Sequence, residues 1–144
     1  MTVIKGVKGI VAISFTKFRE KIEKGTKKQT TRPFSPVRWT QLRAAEKYQL
    51  FWKQRTKECE SLGEVEPDGK PFSISFEPLS GSEYLAWKFG DSGCPEFLSP
   101  EEMEDLAKRD GFDTFKEYIT GLQKINEKRN KRDSIQSYIV VRWK

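Results

Sequence analysis

Apolar and polar positions along the chain follow two rhythms. IVAIS, residues 10 to 14, followed by Phe15, is a short apolar run between Lys8 and Lys17 and predicts a strand. Phe72, Ile74 and Phe76 alternate with serines, as in a strand with one buried face. YQLFWKQR, residues 48 to 55, begins in the same alternation, and YIVVRW, residues 138 to 143, predicts a closing strand. The helical rhythm is confined to shorter pieces. Thr16 is placed to cap a short helix with Phe18 and Ile22 four residues apart on one face, ended by a left-handed turn at Gly25. Ser99, Pro100 and Glu102 spell a capping box for a helix whose inner stripe is Met103, Leu106 and Ala107 and whose end is Gly111. Asp113 is a candidate cap for the next helix, where Phe115, Ile119 and Leu122 recur at helical spacing.

The remaining pieces read as connections. GTKKQTTR, residues 25 to 32, leaves the first helix as a polar loop, and Pro33 and Pro36 keep the chain after Arg32 extended or turning. Residues 62 to 71 form a turn, and residues 77 to 98, with Pro78, Gly81, Gly90, Gly93 and Pro95, an irregular excursion. EKRNKRD, residues 127 to 133, is a frayed helix end or an exposed loop. The reading is one domain over residues 1 to 144, carrying an irregular insertion around 77 to 98. Strands, a short helix, more strands, two helices and a last strand predict a mixed α+β fold, a small β barrel with helices packed outside it, whose closure removes exposed sheet edges.

Composition changes this picture in three ways. Ten Phe, four Trp and four Tyr supply a core although 33% of residues are charged. The net charge of +6 is lopsided: residues 1 to 72 carry sixteen Lys and Arg against eight Asp and Glu, residues 73 to 144 eleven against thirteen. A basic half favours polyanions, nucleic acid before anionic membrane, with a lysine-rich solvated surface as the plainer alternative. The chain has no histidine, which excludes Ser-His-Asp and Cys-His catalysis and the commonest metal ligand. Cys59 and Cys94 form no CxxC pair, so no metal and no cofactor are expected, and two reduced thiols suit a cytoplasmic protein better than an isolated disulfide. No apolar run is long enough for a membrane span or a signal segment, so no membrane partner is expected.

GTKKQTTR is the stretch with chemistry to explain. A threonine hydroxyl is a weak nucleophile without a base, and with no histidine a lysine is the natural one. That lysine must be neutral, through burial or through neighbours such as Lys24, Lys28 and Arg32. The same crowd suits a phosphate, with lysine as point charge, arginine as fork and hydroxyls as neutral donors. Residue types leave both readings open, and the candidate ligand contacts are Lys27, Lys28, Gln29, Thr30 and Arg32. Trp39, Phe51 and Trp52 interleave with Arg38, Arg43, Lys53 and Arg55, a mixture suited to stacked bases and held phosphates, which adds Trp39 and Arg55 to the candidates. Phe51 and Trp52 point to opposite faces of a strand, so at least one belongs to the core and Trp39 is the better stacking ring.

FTKFREKIEKGTKKQTTRP, residues 15 to 33, resembles the ASCH domain, a relative of the PUA fold, in which a helix ending in glycine leads into a GxKxxTxR signature. LFWKQRTKECESLGE at 50 to 64 is similar to the strand that follows, RDGFDTFKEY at 109 to 118 to an acidic-Gly-Phe element before the last helix, and SYIVVRW at 137 to 143 to the closing strand. The resemblance covers most of the chain and is weakest over residues 77 to 98. It implies a PUA-like β pseudobarrel with helices outside, a cleft lined by the signature, and RNA as partner. Within the family one branch is an amidohydrolase on acetylated cytidine, using a lysine, a threonine and a carboxylate, and another is reported as a ribonuclease. Carried onto this chain, the signature falls on Lys27, Thr30 and Arg32, and the acid on Asp110, where the amidohydrolase branch has Glu. The expected function is binding of single-stranded RNA or a modified nucleoside. The alternatives are a hydrolase with catalytic Lys27, Thr30 and Asp110, and a protein-interaction module exposing Trp87 and Phe89 from the 77 to 98 excursion.

Overall fold

The structure is a computed structural model that describes residues 2–3, 9–79, 83–90, 94–129 and 136–144, with the backbone alone at 2–3, 126–129 and 136. In chain order the elements are β1 (Thr2–Val3), β2 (Ile10–Phe15), α1 (Arg19–Glu23), β3 (Gln29–Pro33), α2 (Pro36–Ala44), β4 (Lys47–Trp52) and β5 (Glu60–Val65). There follow β6 (Phe72–Pro78), β7 (Tyr84–Phe89), β8 (Pro95–Phe97), α3 (Pro100–Arg109), α4 (Phe115–Arg129) and β9 (Gln136–Arg142). The strands form two sheets, one four-stranded in the order β1-β2-β4-β5 and one five-stranded in the order β3-β9-β6-β7-β8. β2 and β4 run parallel, joined by a crossover through α1, β3 and α2, and the other ladders are antiparallel.

β9 explains how two sheets share one molecule. Tyr138 and Val140 face α3 and α4 in a cluster with Phe72, Ile74, Phe76, Tyr118 and Leu122. The alternate residues Ile139, Val141 and Trp143 face β2 and β4 in a second cluster with Val11, Ile13, Tyr48 and Leu50. A strand buried on both faces needs an unbroken apolar run, which is why YIVVRW is legible as a strand. Truncation of fully buried Ile139 to Ala removes contacts from the second cluster and costs about 2–5 kcal/mol.

The mixed α+β class stands, but the barrel expected from edge protection does not close: among the described residues no ladder joins the two sheets. Packing of β2 and β4 on one face of β9, with an isolated bridge between Pro67 and Trp143, takes the place of that ladder. Four local expectations are corrected. Residues 29 to 33 are a strand, because their polar side chains bond to protein on both faces instead of to water. Pro36 starts α2 instead of forbidding it, since a first-turn residue has no intrahelical N–H bond to lose. β5 occupies part of the expected turn as a largely exposed edge strand. β7 and β8 lie within the expected excursion at 77 to 98 and give it regular structure. The second capping site also shifts by one residue, as the Thr114 hydroxyl accepts from the Glu117 N–H at 3.2 Å. Of the charged run, residues 127 to 129 lie in α4 and 130 to 133 lie outside the described residues.

Thr16 does not cap the first helix: the N-cap of α1 is Phe18, left-handed and without a side-chain cap bond. The expected helix ends at Gly25 and Ser99 match. Gly25 has φ 77 and follows α1, with its N–H on the Ile22 carbonyl and the Thr26 N–H on the Lys21 carbonyl, the paired bonds of a left-handed helix end. The Ser99–Glu102 capping box is present in both directions. No helix among the described residues is long and apolar enough to cross a membrane.

Candidate ligand-binding cleft

The signature segment is extended, so alternate residues point the same way. Lys27, Gln29 and Thr31 reach toward Asp110, which stands at the C-terminal end of α3. Lys27 Nζ donates to Asp110 Oδ1 at 3.0 Å, to the Gln29 carbonyl at 2.7 Å and to the Asp110 carbonyl. Gln29 Nε2 donates to Asp110 Oδ2 at 3.0 Å and to the Leu106 carbonyl at 3.0 Å, and Thr31 Oγ1 donates to Asp110 Oδ2 at 2.6 Å. Thr31 Oγ1 also lies 2.8 Å from the Tyr118 hydroxyl, and Arg142 Nε donates to Gln29 Oε1 at 2.9 Å. An ammonium has three protons, and all three are engaged here. A buried charge pair is tolerated when every remaining lone pair and proton is satisfied, as in this network.

Burial pulls the Lys27 pKa down, the charge of Asp110 opposes this, and Arg32 and Lys21 add a smaller downward push. The neighbours expected from sequence contribute differently. Lys24 pairs with Glu20 at 2.6 Å on the surface, and Lys28 is exposed.

The opposite face of β3 carries Thr30 and Arg32. Arg32 Nε donates to Thr30 Oγ1 at 3.0 Å, its Nη2 donates to the Ser14 carbonyl at 2.6 Å, and its guanidinium lies 5.1 Å from the centre of the Phe15 ring. Burial lowers the Arg32 pKa to about 10, against the pull of Asp110, so the group stays charged at neutral pH.

Both faces of β3 open into one cavity of about 620 Å³, bounded by the segment after β2, by the α3–α4 turn and by α4. Lys27, Thr30, Thr31, Arg32 and Asp110 line it, with Phe15, Phe18, Phe112 and Leu122 as apolar walls and Lys17 and Lys124 as further cations. Because Lys27 and Asp110 neutralise one another, the surplus charge of the cleft is that of Arg32, Lys17 and Lys124. The wall is held by a close approach: Gly111 has φ 104, and a Cβ there would lie 3.1 Å from Phe18 Cγ. Phe18 itself has φ 63 and packs edge-on against Phe112 at 4.9 Å.

Of the residues singled out from sequence, the cleft therefore gathers Lys27, Thr30, Arg32 and Asp110. Gln29 is fully buried behind the Asp110 carboxylate and supports the wall without lining it. Lys28 offers its main chain, accepting from the Trp143 N–H at 3.0 Å. Trp39 lies on α2, 5.7 Å from Phe34 and 4.8 Å from the Arg43 guanidinium, and does not line the cleft. Arg55 is exposed in the loop after β4 and does not line it either. Phe51 and Trp52 are both half-buried. Thr31, Tyr118 and the aromatic walls were missed. The signal for Thr31 is its position two and four residues from Gln29 and Lys27, informative only once the segment is read as a strand.

No family model, no characterised protein and no solved structure matches this chain.

Proposed function

We propose that the chain binds single-stranded RNA or a nucleotide in this cleft, as an ASCH-type domain with a PUA-like pseudobarrel. The observation that carries the reading is the gathering of the signature side chains in one concavity with aromatic walls and surplus positive charge. A base has flat faces for Phe15, Phe18 and Phe112, and a phosphate has Arg32 as a fork and Lys17 and Lys124 as point charges. The packing of β2 and β4 against β9 around a shared core supports the pseudobarrel. Cys59, an exposed thiol, fits a cytoplasmic setting.

A hydrolase is the second reading, favoured by Lys27, Thr30 and Asp110 lining the same cavity. The bonding speaks for contact over catalysis. Lys27 has no proton-accepting role while its three protons are engaged, and the Thr30 hydroxyl accepts from Arg32 Nε, with no bond to Lys27 Nζ. The interaction-module reading loses its motive, since Trp87 and Phe89 lie half-buried in β7 and Trp87 packs edge-on against Phe97 at 6.3 Å.

The deciding experiment is fluorescence anisotropy with labelled single-stranded RNA, alongside assays for acetate release from acetylated cytidine and for strand cleavage. Binding that weakens with salt and with Arg32→Ala, without turnover, is the expected result. Affinity indifferent to both overturns the reading, and turnover abolished by Thr30→Ala establishes the hydrolase instead.

A further inference from the structure

Beside the cleft lies a second hollow of about 440 Å³, whose lining includes Ser14, Thr16, Lys53, Thr56, Lys57 and Glu58. We propose that it is a subsite for the sugar-phosphate backbone of the nucleotide adjoining the one in the cleft, so that the protein takes a strand of single-stranded RNA; this rests on the nucleotide-binding reading above. Ser14 and Thr16 line both cavities, which makes the two hollows halves of one groove. Ser14 is the ridge between them. Its carbonyl accepts from Arg32 on the cleft side at 2.6 Å, and its hydroxyl accepts from the Gln54 N–H on the other side at 3.0 Å.

The groove crosses the carboxyl ends of the parallel strands β2 and β4, which stop side by side at Phe15 and Trp52. The Lys53 N–H donates to the Phe15 carbonyl at 2.8 Å, so the loop after β4 is anchored to that end. Ligands of sheets with parallel strands commonly sit beyond such ends. Backbone conformation marks the same place. Phe18, Lys53 and Arg55 are the described non-glycine residues with φ in the left-handed region, at 63, 46 and 69, and all three lie on the segments after β2 and β4 that border the groove. Strained residues of this kind persist where the surroundings hold them, and they cluster at ligand sites. Here Thr56 holds the loop, its hydroxyl donating to the Lys53 carbonyl at 2.7 Å and accepting from the Glu58 N–H at 3.2 Å.

The chemistry selects a backbone over a base. Among the described residues no aromatic ring lines this hollow, so a base finds nothing to stack on. Lys53 is paired with Glu58 at 2.6 Å, which leaves Lys57, unpaired among the described residues, and the hydroxyl of Thr16 as donors. One unpaired cation with neutral donors matches a phosphodiester monoanion.

The test compares cytidine 5′-monophosphate with a five-nucleotide single-stranded RNA on the full chain and on its Lys57→Ala, Lys57→Glu and Arg32→Ala variants. Lys57 is exposed, so its variants fold. The pentamer is expected to bind more tightly than the monophosphate. Lys57→Ala should weaken the pentamer about fivefold and lower the slope of log affinity on log salt by about 0.7, with Lys57→Glu stronger in both and the monophosphate unaffected. A pentamer insensitive to Lys57 but lost in Arg32→Ala overturns the second subsite and leaves the cleft reading standing. Indifference of both ligands to Arg32, or no binding of either, overturns the cleft reading and this one with it.

Discussion

Lys27 Nζ and Asp110 Oδ1 stand 3.0 Å apart with 3% and 8% of their side chains exposed, a buried ion pair that ties the signature strand to the end of α3. Removing one partner leaves the other charge buried and uncompensated, which costs about 3–5 kcal/mol. Asp110→Asn keeps the shape and removes the charge, so urea unfolding should show a loss of that size. The double variant Lys27→Met with Asp110→Asn should recover most of it, because the Asn oxygen still accepts from Gln29 or Thr31 and no charge remains. A loss under about 1 kcal/mol in Asp110→Asn would remove the pair from the folding account.

Gly111 and Phe18 form the second joint of the cleft. A Cβ at Gly111 meets Phe18 Cγ at 3.1 Å and Cδ2 at 3.2 Å, and φ 104 is strained for any L residue. Gly111→Ala should therefore cost about 2 kcal/mol. In a Phe18→Ala background the steric part vanishes and the strain part stays, so the added cost of Gly111→Ala should shrink by at least about 0.5 kcal/mol. Strict additivity in the double-mutant cycle would show that the ring and the glycine do not press on one another.

These two joints show what was legible in the sequence and what was not. Elements that obey one rhythm were readable: β6 by its alternation, β9 by its double-faced apolar run, α3 by its capping box. β3 was hidden because alternation of apolar and polar residues assumes that a polar side chain faces water. In QTTR the donors face a buried carboxylate on one side and a threonine–arginine pair over a ring on the other. β5 was hidden for the opposite reason, since an exposed edge strand has little to bury. Lys27, Thr30, Arg32 and Asp110 converge in one cavity, but what marks Asp110 in the sequence is a family likeness and not any local pattern. Trp39 has the basic neighbours expected of a stacking ring, but the ring serves α2, stacked with one of those neighbours, Arg43.

Buried tyrosines set the alkaline limit of stability. Burial pushes the Tyr48 and Tyr138 hydroxyls up to about 12 and the Tyr118 hydroxyl well above its ordinary value of 10. In the unfolded chain they ionise near 10, so above that pH the folded state holds more protons and stability falls as pH rises. Three protons amount to about 4 kcal/mol per pH unit. Arg32, lowered from 12.5 to about 10, works in the opposite sense, as do Lys27 and Arg142, which burial also lowers, so the net fall is smaller, about 1–3 kcal/mol per unit between pH 10.5 and 12. Stability is unaffected by these tyrosines below pH 10. Urea midpoints from pH 9 to 12 measure the slope, and a flat profile would contradict it. The Tyr48 hydroxyl is buried with no hydrogen-bond partner among the described residues, so Tyr48→Phe should stabilise by about 1 kcal/mol and reduce the slope by one proton.

Arg32 provides the sharpest functional test because its three contacts use the shape of the guanidinium as well as its charge. Nε holds Thr30 Oγ1, Nη2 holds the Ser14 carbonyl, and the planar face lies over Phe15, so the fork is fixed before any ligand arrives. A preorganised charged donor contributes about 1.5–3 kcal/mol, so Arg32→Ala should weaken RNA binding about tenfold to a hundredfold. Arg32→Lys keeps the charge but loses the plane and the fork, and it should recover only a minor part of that loss. Unfolding midpoints of both variants separate a damaged cleft from a damaged fold. The decisive comparison is lysine against arginine at matched stability. Wild-type affinity in Arg32→Lys would mean that a point charge suffices and that the geometry around Thr30, Ser14 and Phe15 positions nothing for a ligand.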